Sequence, residues 1–186
     1  FWHVGREVPA NHPYSKFYPN NIWPENVVPR FTEVLSKLYN QLDLTSAALL
    51  EALSLALDVP KSYFQDMITN GNSILRPLHY PPLAPNTPPN AIRSAAHEDI
   101  NLITILVGAT TSGLELLDRD GTWLAVNNKE GQLVVDSGDM LSRITNEIIP
   151  STTHRVVNPS NSQNSSRYSM PFFVHPNPDT VLECIP

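Results

Sequence analysis

A dense group of prolines in the middle of the chain limits which folds are open to it. Six of the 18 prolines lie between residues 77 and 89. Proline fixes φ and has no amide hydrogen to donate, so neither a helix nor a central strand can contain such a group. We therefore expect this segment to divide the chain into two differently built stretches. The prolines concerned are Pro77, Pro81, Pro82, Pro85, Pro88 and Pro89.

The stretch before these prolines has the apolar spacing that is typical of amphipathic helices. A long helix is predicted, with one stripe of side chains packed into the core. A second, short helix is predicted over residues 60–69, burying Phe64, Met67 and Ile68 and ending in a left-handed cap at Asn70-Gly71. The stripe of the long helix consists of Phe31, Leu35, Leu38, Leu42, Leu49, Leu53 and Leu57.

The stretch after the prolines has a different pattern. Short segments rich in Val, Ile, Leu and Thr alternate with turns, which predicts a many-stranded antiparallel sheet. Asp120-Gly121 between two such segments indicates a hairpin with a type I′ turn. Helices followed by strands favour an α+β fold that ends in a barrel or jelly roll. The expected strands are 102–107, 114–117, 123–126, 133–135, 153–157 and 168–174.

Length and composition exclude several classes of function. The 186 residues suit one domain, and the net charge of −6 with scattered basic residues predicts no nucleic-acid partner. No apolar run approaches the roughly 20 residues that cross a bilayer, so no membrane segment is expected. The single cysteine, Cys184, forms no internal disulfide, which favours the cytoplasm. We expect a monomer that acts on a small molecule.

Two histidines and an aspartate have the spacing of metal ligands. His97 and Asp99 lie two residues apart where a strand begins, and alternate residues of a strand share a face. His154 lies in another β-branched segment. Two imidazoles and one carboxylate occupy one face of an octahedral ion and leave three positions open, which suits Fe(II). A His-x-Asp pair also occurs in surface ion pairs, and Asp139, after Gly138, is interpreted as a turn former rather than a ligand.

A second pair of polar residues lies in the last predicted strand. Arg167 and Ser169 alternate with apolar neighbours and face one side of that strand. A buried guanidinium is costly unless an anion meets it. A dicarboxylate would satisfy Arg167 through paired hydrogen bonds, with Ser169 donating another. A structural Asp or Glu partner is the alternative at this point.

In order and spacing, these motifs resemble the isopenicillin N synthase-like family of iron(II)/2-oxoglutarate-dependent oxygenases. The resemblance covers residues from about Leu75 to Pro178. It implies a double-stranded β-helix, which is a distorted jelly roll, with a long supporting helix on its outside. The matching segments are Leu75-Arg76-Pro77-Leu78-His79-Tyr80-Pro81-Pro82, His97-Glu98-Asp99, Gly138-Asp139-Met140, His154-Arg155-Val156 and Arg167-Tyr168-Ser169.

The resemblance also implies roles for individual residues. His97, Asp99 and His154 would bind Fe(II). The distal carboxylate of 2-oxoglutarate would be bound by Arg167 and Ser169, and Tyr80 would approach the cosubstrate or the substrate. The expected substrate pocket contains four apolar residues near the iron and two candidates for polar substrate contacts. The pocket residues are Leu106, Leu114, Val156, Phe173, Arg76 and His79.

The expected protein is a single oxygenase domain over residues 1–186. Residues 1–73 would form helical support and 74–186 the jelly-roll catalytic core, without the family's N-terminal segment and C-terminal helix. The expected reaction couples oxidative decarboxylation of 2-oxoglutarate to hydroxylation or a related C–H oxidation of a small molecule, with dioxygen as oxidant. Two alternatives stay open: a 2-oxoglutarate-independent Fe(II) oxidase or cyclase like isopenicillin N synthase, and a non-catalytic jelly-roll fragment that binds metal.

Overall fold

One long helix supports the fold, and the expected stripe faces the core except at Leu49. The computed structural model describes residues 1–88, 90–127, 129–159 and 164–185, and helix α1 spans Phe31–Ala56. Leu49 is 37% exposed, whereas Leu50 is 1% exposed, so the prediction for Leu49 was wrong. Two serines reach the buried face because their hydroxyls donate to carbonyls of the same helix. The buried positions are Leu35, Tyr39, Leu42, Ser46, Leu50 and Ser54.

The second helix is confirmed, but its end is not left-handed. Helix α2 spans Tyr63–Ile68 and buries Phe64 and Ile68. Neither Asn70 nor Gly71 has a positive φ. A Cβ on Gly71 would lie 2.0 Å from the carbonyl oxygen of His175. Glycine is therefore needed here for close approach of two backbones rather than for a left-handed cap.

A large antiparallel sheet forms one wall of the domain. Its described strands have the order β1-β2-β10-β5-β8, and β3 also pairs with β10. The N-terminal stretch expected to be helical support thus also supplies a strand, β1. The large-sheet strands are β1 Val4–Gly5, β2 Ile74–Leu75, β3 Leu78–Tyr80, β5 Ile103–Val107, β8 Leu133–Ser137 and β10 Arg167–Val174.

A smaller antiparallel sheet forms the opposite wall. Its described strands have the order β4-β9-β6-β7. Residues of both sheets line a cavity of about 610 Å³. The arrangement is a jelly roll, as expected, and the class is α+β. The small-sheet strands are β4 Ser94–His97, β6 Leu114–Leu117, β7 Trp123–Ala125 and β9 His154–Val156.

The hairpin between β6 and β7 is confirmed, although its turn type was wrong. Gly121 has φ of 86°, but Asp120 has no positive φ. The Gly121 amide donates to the carbonyl of Asp118, and the Asp118 amide donates to that of Thr122. One glycine at positive φ is what a three-residue loop needs, whereas a type I′ turn needs two such residues.

The large sheet is covered on both faces, and strand β10 shows this most clearly. Phe172 and Val174 lie in the core, where the Phe172 ring meets the edge of Tyr39 from α1 at 5.1 Å. Arg167, Ser169 and the other alternate residues of β10 face the cavity. Helix α1 therefore packs behind the wall that carries part of the candidate site. None of the helices in the described residues is long and apolar enough to cross a membrane.

Candidate metal and cosubstrate site

The three expected metal ligands converge at one end of the cavity. Nε2 of His97 and Nε2 of His154 each lie 3.9 Å from Oδ1 of Asp99. His97 ends β4 and pairs with His154 of β9, while Asp99 lies two residues beyond the end of β4. Their ligand atoms all lie within 4.8 Å of one another, and no other such cluster occurs in the described part of the chain.

Backbone carbonyls orient both imidazoles toward a common point. Nδ1 of His97 lies 2.7 Å from the carbonyl oxygen of Ala95, and Nδ1 of His154 lies 3.0 Å from that of Thr152. A carbonyl only accepts, so each Nδ1 carries the proton and each Nε2 of a neutral ring has a free lone pair. This is the arrangement in which histidine binds a metal through Nε2.

The carboxylate of Asp99 is held by a buried hydroxyl network. The Thr104 hydroxyl donates to Oδ2 of Asp99 at 2.5 Å. Asn101 donates in turn to Thr104 Oγ1 at 3.1 Å and to the carbonyl oxygen of Ile103 at 2.7 Å. The network uses Oδ2, so Oδ1 remains directed at the two imidazoles.

The backbone beside Asp99 is fixed by Gly138 and a short helix. Helix α3 spans Asp139–Ile144, and the Asp139 amide donates to the Asp99 carbonyl at 2.8 Å. A Cβ on Gly138 would lie 2.3 Å from the carbonyl oxygen of Asn101 and 2.6 Å from that of Asp99. Asp139 is thus the first residue of a helix rather than a simple turn former, and it stays outside the ligand cluster.

The donor set fits one divalent ion. The three ligand atoms lie within 4.8 Å of one another, and both nitrogen-to-Oδ1 distances are 3.9 Å. Adjacent ligands about 2.1 Å from an octahedral ion lie about 3 Å apart, so these side chains would close in slightly on a bound ion. Two nitrogen donors and one oxygen donor without a thiolate suit Fe(II), and three ligands leave positions for other molecules. The residues present could therefore hold iron and admit a cosubstrate beside it.

Arg167 and Ser169 lie in the same cavity as the triad. Both are buried, with Arg167 only 1% exposed. Within the described ranges, no Asp or Glu lies within 4.0 Å of the Arg167 guanidinium, whose Nε donates to the Thr111 carbonyl at 3.3 Å. Burial lowers the pKa of Arg167, because the charged form is poorly solvated. An anion in the cavity would relieve that cost.

Tyr80 lies opposite Arg167 on the neighbouring strand. The two residues are paired between β3 and β10, and Cζ of Arg167 lies 5.4 Å from the centre of the Tyr80 ring. Tyr80 also lines the cavity. It is therefore placed to touch a molecule bound by Arg167.

The expected pocket residues line the cavity, with His79 as the exception. His79 lies between Leu78 and Tyr80 on β3, so its side chain points to the opposite face and is exposed. Its ring stacks on Tyr168 at 4.7 Å. The placement of His79 in the pocket was wrong. The cavity-lining members are Arg76, Leu106, Leu114, Val156 and Phe173.

Arg76 is held between aromatic rings at the cavity edge. Its Cζ lies 4.5 Å from the centre of the Phe173 ring and 5.5 Å from that of Phe1. Its Nε donates to Nε2 of His3 at 2.7 Å. Burial is the main cause that lowers the pKa of both Arg76 and His3. A neutral His3 ring can accept this hydrogen bond.

The cavity residues that were not predicted from the sequence include three ionisable ones. Arg93 directly precedes β4, Asp136 lies on β8 and His175 follows β10. Asp136 Oδ2 lies 4.0 Å from Nδ1 of His154, and burial, reinforced by the charge of Asp99, raises the pKa of Asp136 to about 6. The alternation of β8 could have indicated Asp136. Arg93 and His175 lie just outside their strands, where alternation gives no signal.

Comparison with known proteins identifies the family. Residues 68–176 match the family model described as the 2OG-Fe(II) oxygenase superfamily. The chain belongs to this superfamily. Its members use Fe(II), 2-oxoglutarate and dioxygen, and the family predicted from the motifs is confirmed.

Similar proteins extend over nearly the whole chain. A 2-oxoglutarate-Fe(II) type oxidoreductase, hxnY of Emericella nidulans, is 35% identical over 99% of this chain and 54% of its own length. The crystal structure of a 2OG-Fe(II) oxygenase family protein from Caulobacter crescentus is 44% identical with a TM-score of 0.90, covering 99% of this chain and 59% of that one.

A third relative was solved with a bound cosubstrate. This full-length Neurospora crassa protein, in complex with alpha-KG (2-oxoglutarate), is 29% identical with a TM-score of 0.87, over 99% of this chain and 57% of that one. The two solved structures confirm the jelly-roll fold. The chain spans about half the length of the relatives it matches.

Proposed function

We propose that this chain forms the catalytic core of an Fe(II)- and 2-oxoglutarate-dependent oxygenase that oxidises a small molecule. One observation carries the proposal. The open three-residue cluster and the buried Arg167, which has no carboxylate partner among the described residues, line the same cavity of about 610 Å³. A metal with open positions and an anion site are the two requirements for binding a chelating dicarboxylate next to iron.

Each part of the site has a separate task. His97, Asp99 and His154 would hold Fe(II), which when bound supplies the activation of dioxygen. Arg167 and Ser169 would bind the distal carboxylate of 2-oxoglutarate and fix its distance from the metal end of the cavity. Tyr80 would contact the same molecule. These residues would position the reactants relative to one another.

Substrate would be held by the remaining walls of the cavity. Leu106, Leu114, Val156 and Phe173 would give an apolar surface beside the metal, and Arg76 would offer donors at the edge. Such a mixture of apolar walls and a few polar groups is typical of small-molecule sites.

Three further expectations stay predictions: that the protein binds no nucleic acid, that it is a monomer, and that it is located in the cytoplasm. Light scattering of the purified protein tests whether it is a monomer.

The proposal is tested by measuring the product formed from each of the two organic substrates. The protein is incubated with Fe(II), 2-oxoglutarate, dioxygen and a panel of small molecules, and succinate is quantified against oxidised product. We expect equal amounts of succinate and product, and neither when Fe(II) or 2-oxoglutarate is omitted. Iron-dependent product without 2-oxoglutarate would instead support the oxidase alternative. Metal binding without any turnover would support the non-catalytic alternative.

A further inference from the structure

Arg93 is a second arginine at the cosubstrate end of the cavity. It lines the cavity directly before β4, the strand that ends at His97. One terminal nitrogen donates to the carbonyl of Ser165 at 2.6 Å, which fixes the guanidinium beside the start of β10. Its Nε is buried and has no hydrogen-bond partner in the described part of the chain. The guanidinium of Arg93 therefore keeps an unsatisfied donor within the described part of the protein.

Arg93 and Arg167 lie beside the same aromatic ring. Cζ of Arg93 lies 6.0 Å from the centre of the Tyr80 ring, and Cζ of Arg167 lies 5.4 Å from it. The positive charge of Arg93 also contributes, after burial, to lowering the pKa of Arg167. The two guanidinium groups are thus close enough to repel each other.

No described side chain neutralises this pair of charges. Ion pairs within 4.0 Å involve Arg6, Arg30 and Arg155, but neither Arg93 nor Arg167. Two like charges beside a desolvated cavity wall raise the free energy of the protein until an anion binds between them. A carboxylate accepts several hydrogen bonds and can satisfy two guanidinium groups at once.

We propose that Arg93 is a second cationic contact for the distal carboxylate of 2-oxoglutarate, which it shares with Arg167. This inference rests on the proposed function, because it assigns a further residue to the same cosubstrate site. Arg93 makes the site select a dicarboxylate over a 2-oxo acid without the second carboxylate. The charge is the essential property, and the hydrogen bond to Ser165 only orients it.

Three substitutions separate the charge of Arg93 from its contact with Ser165. Arg93→Lys keeps the charge and a donor, Arg93→Gln keeps a donor without the charge, and Arg93→Met keeps neither. If the residue acts through its charge, the lysine variant stays near wild type while the glutamine and methionine variants lose affinity. If it only holds Ser165, the lysine and glutamine variants both stay near wild type. Arg119→Gln makes the same charge change on the β6–β7 hairpin and serves as the control.

Anaerobic calorimetry of the Fe(II)-loaded protein measures 2-oxoglutarate and 2-oxobutyrate binding, since 2-oxobutyrate lacks the distal carboxylate. We expect Arg93→Gln to weaken 2-oxoglutarate binding about tenfold or more and to leave 2-oxobutyrate binding unchanged. Equal 2-oxoglutarate affinity in wild type and Arg93→Gln, or equal losses for both acids, would overturn the inference while the proposed function stands. Failure of the wild type to bind 2-oxoglutarate would contradict the proposed function and the inference with it.

Discussion

The hydroxyl of Thr104 donates to Oδ2 of Asp99 at 2.5 Å, and this contact leaves Oδ1 directed at both histidines. The hydroxyl lies on β5 of the large sheet, whereas His97 and His154 lie on the small sheet. Thr104 therefore holds the carboxylate of Asp99 from the large sheet, while the other two metal ligands belong to the small sheet. Partners that orient metal ligands in this way commonly contribute 10- to 100-fold, roughly, to metal affinity.

Replacing Thr104 by valine should weaken metal binding without removing a ligand. The side chains have nearly the same shape, so the change deletes the hydrogen bond to Asp99. We expect Fe(II) affinity to fall roughly 10- to 100-fold, measured by anaerobic calorimetry. Thr45→Val is the control, because the Thr45 hydroxyl donates to its own helix at Gln41. Equal affinities in Thr104→Val and wild type would show that Asp99 does not depend on this contact.

Gly138→Ala should displace the backbone that carries Asp99 and thereby weaken metal binding. The new Cβ would meet the carbonyl oxygens of Asn101 and Asp99 at 2.3 and 2.6 Å, and backbone atoms cannot swing away as a flexible side chain can. We expect a loss of about 1–3 kcal/mol in unfolding free energy, together with weaker metal binding. Gly5→Ala is the matched control, since its Cβ would meet only Asn21 Oδ1 at 3.9 Å. Equal unfolding free energies of the two variants in denaturant would contradict this account of Gly138.

Arg167→Met should have opposite effects on stability and on cosubstrate binding. The methionine removes a buried charge that has no acidic partner among the described residues, so the apoprotein should gain about 1 kcal/mol or more. The same change should cost about 2–5 kcal/mol of 2-oxoglutarate binding. Thermal unfolding with and without 2-oxoglutarate measures both effects, because a bound ligand raises the melting temperature.

The Arg167→Met comparison has a clear contrary outcome. If the variant melts lower than wild type without ligand and keeps the same shift with 2-oxoglutarate, Arg167 has a structural role and the carboxylate lies elsewhere. Arg119→Met is the control for the change in net charge, and it should retain the wild-type shift.

The register of α1 gives a direct test of the fold. Leu49 and Leu50 are neighbours, yet they are 37% and 1% exposed. Leu50→Ala should lower the unfolding free energy by about 2–5 kcal/mol, as for a buried leucine. Leu49→Ala should cost less than about 1 kcal/mol. Similar losses for the two variants would mean that the buried face of α1 is wrongly assigned.

The elements most accurately predicted from the sequence were strands, because short segments rich in Val, Ile, Leu and Thr are bounded there by turn residues. Strands β5, β6 and β10 begin and end within one residue of the expected positions. Alternation along β10 also put Arg167 and Ser169 on one face, and the structure shows them in the cavity. Side-chain direction in a strand is determined locally, so no knowledge of the partner strands was needed.

Features that depend on distant neighbours were not predictable in this way. The expected stripe of α1 was wrong only at Leu49, because leucines occur on adjacent faces of the helix and only packing decides between Leu49 and Leu50. Glycine at position 138 resembled a turn signal, but it is required by the backbone of residues 99–101. Arg93 was not predicted because its approach to Tyr80 arises from the pairing of separate segments, which no short motif records.

Anaerobic titration of Fe(II) into wild type and three single variants tests the central claim most directly. Wild type should bind one Fe(II), and His97→Ala, Asp99→Ala and His154→Ala should each weaken that binding at least about 100-fold, since every change deletes one of three ligands. His79→Ala is the matched control, because that ring lies outside the cavity on Tyr168. Unchanged Fe(II) affinity in any of the three ligand variants would contradict the site described above.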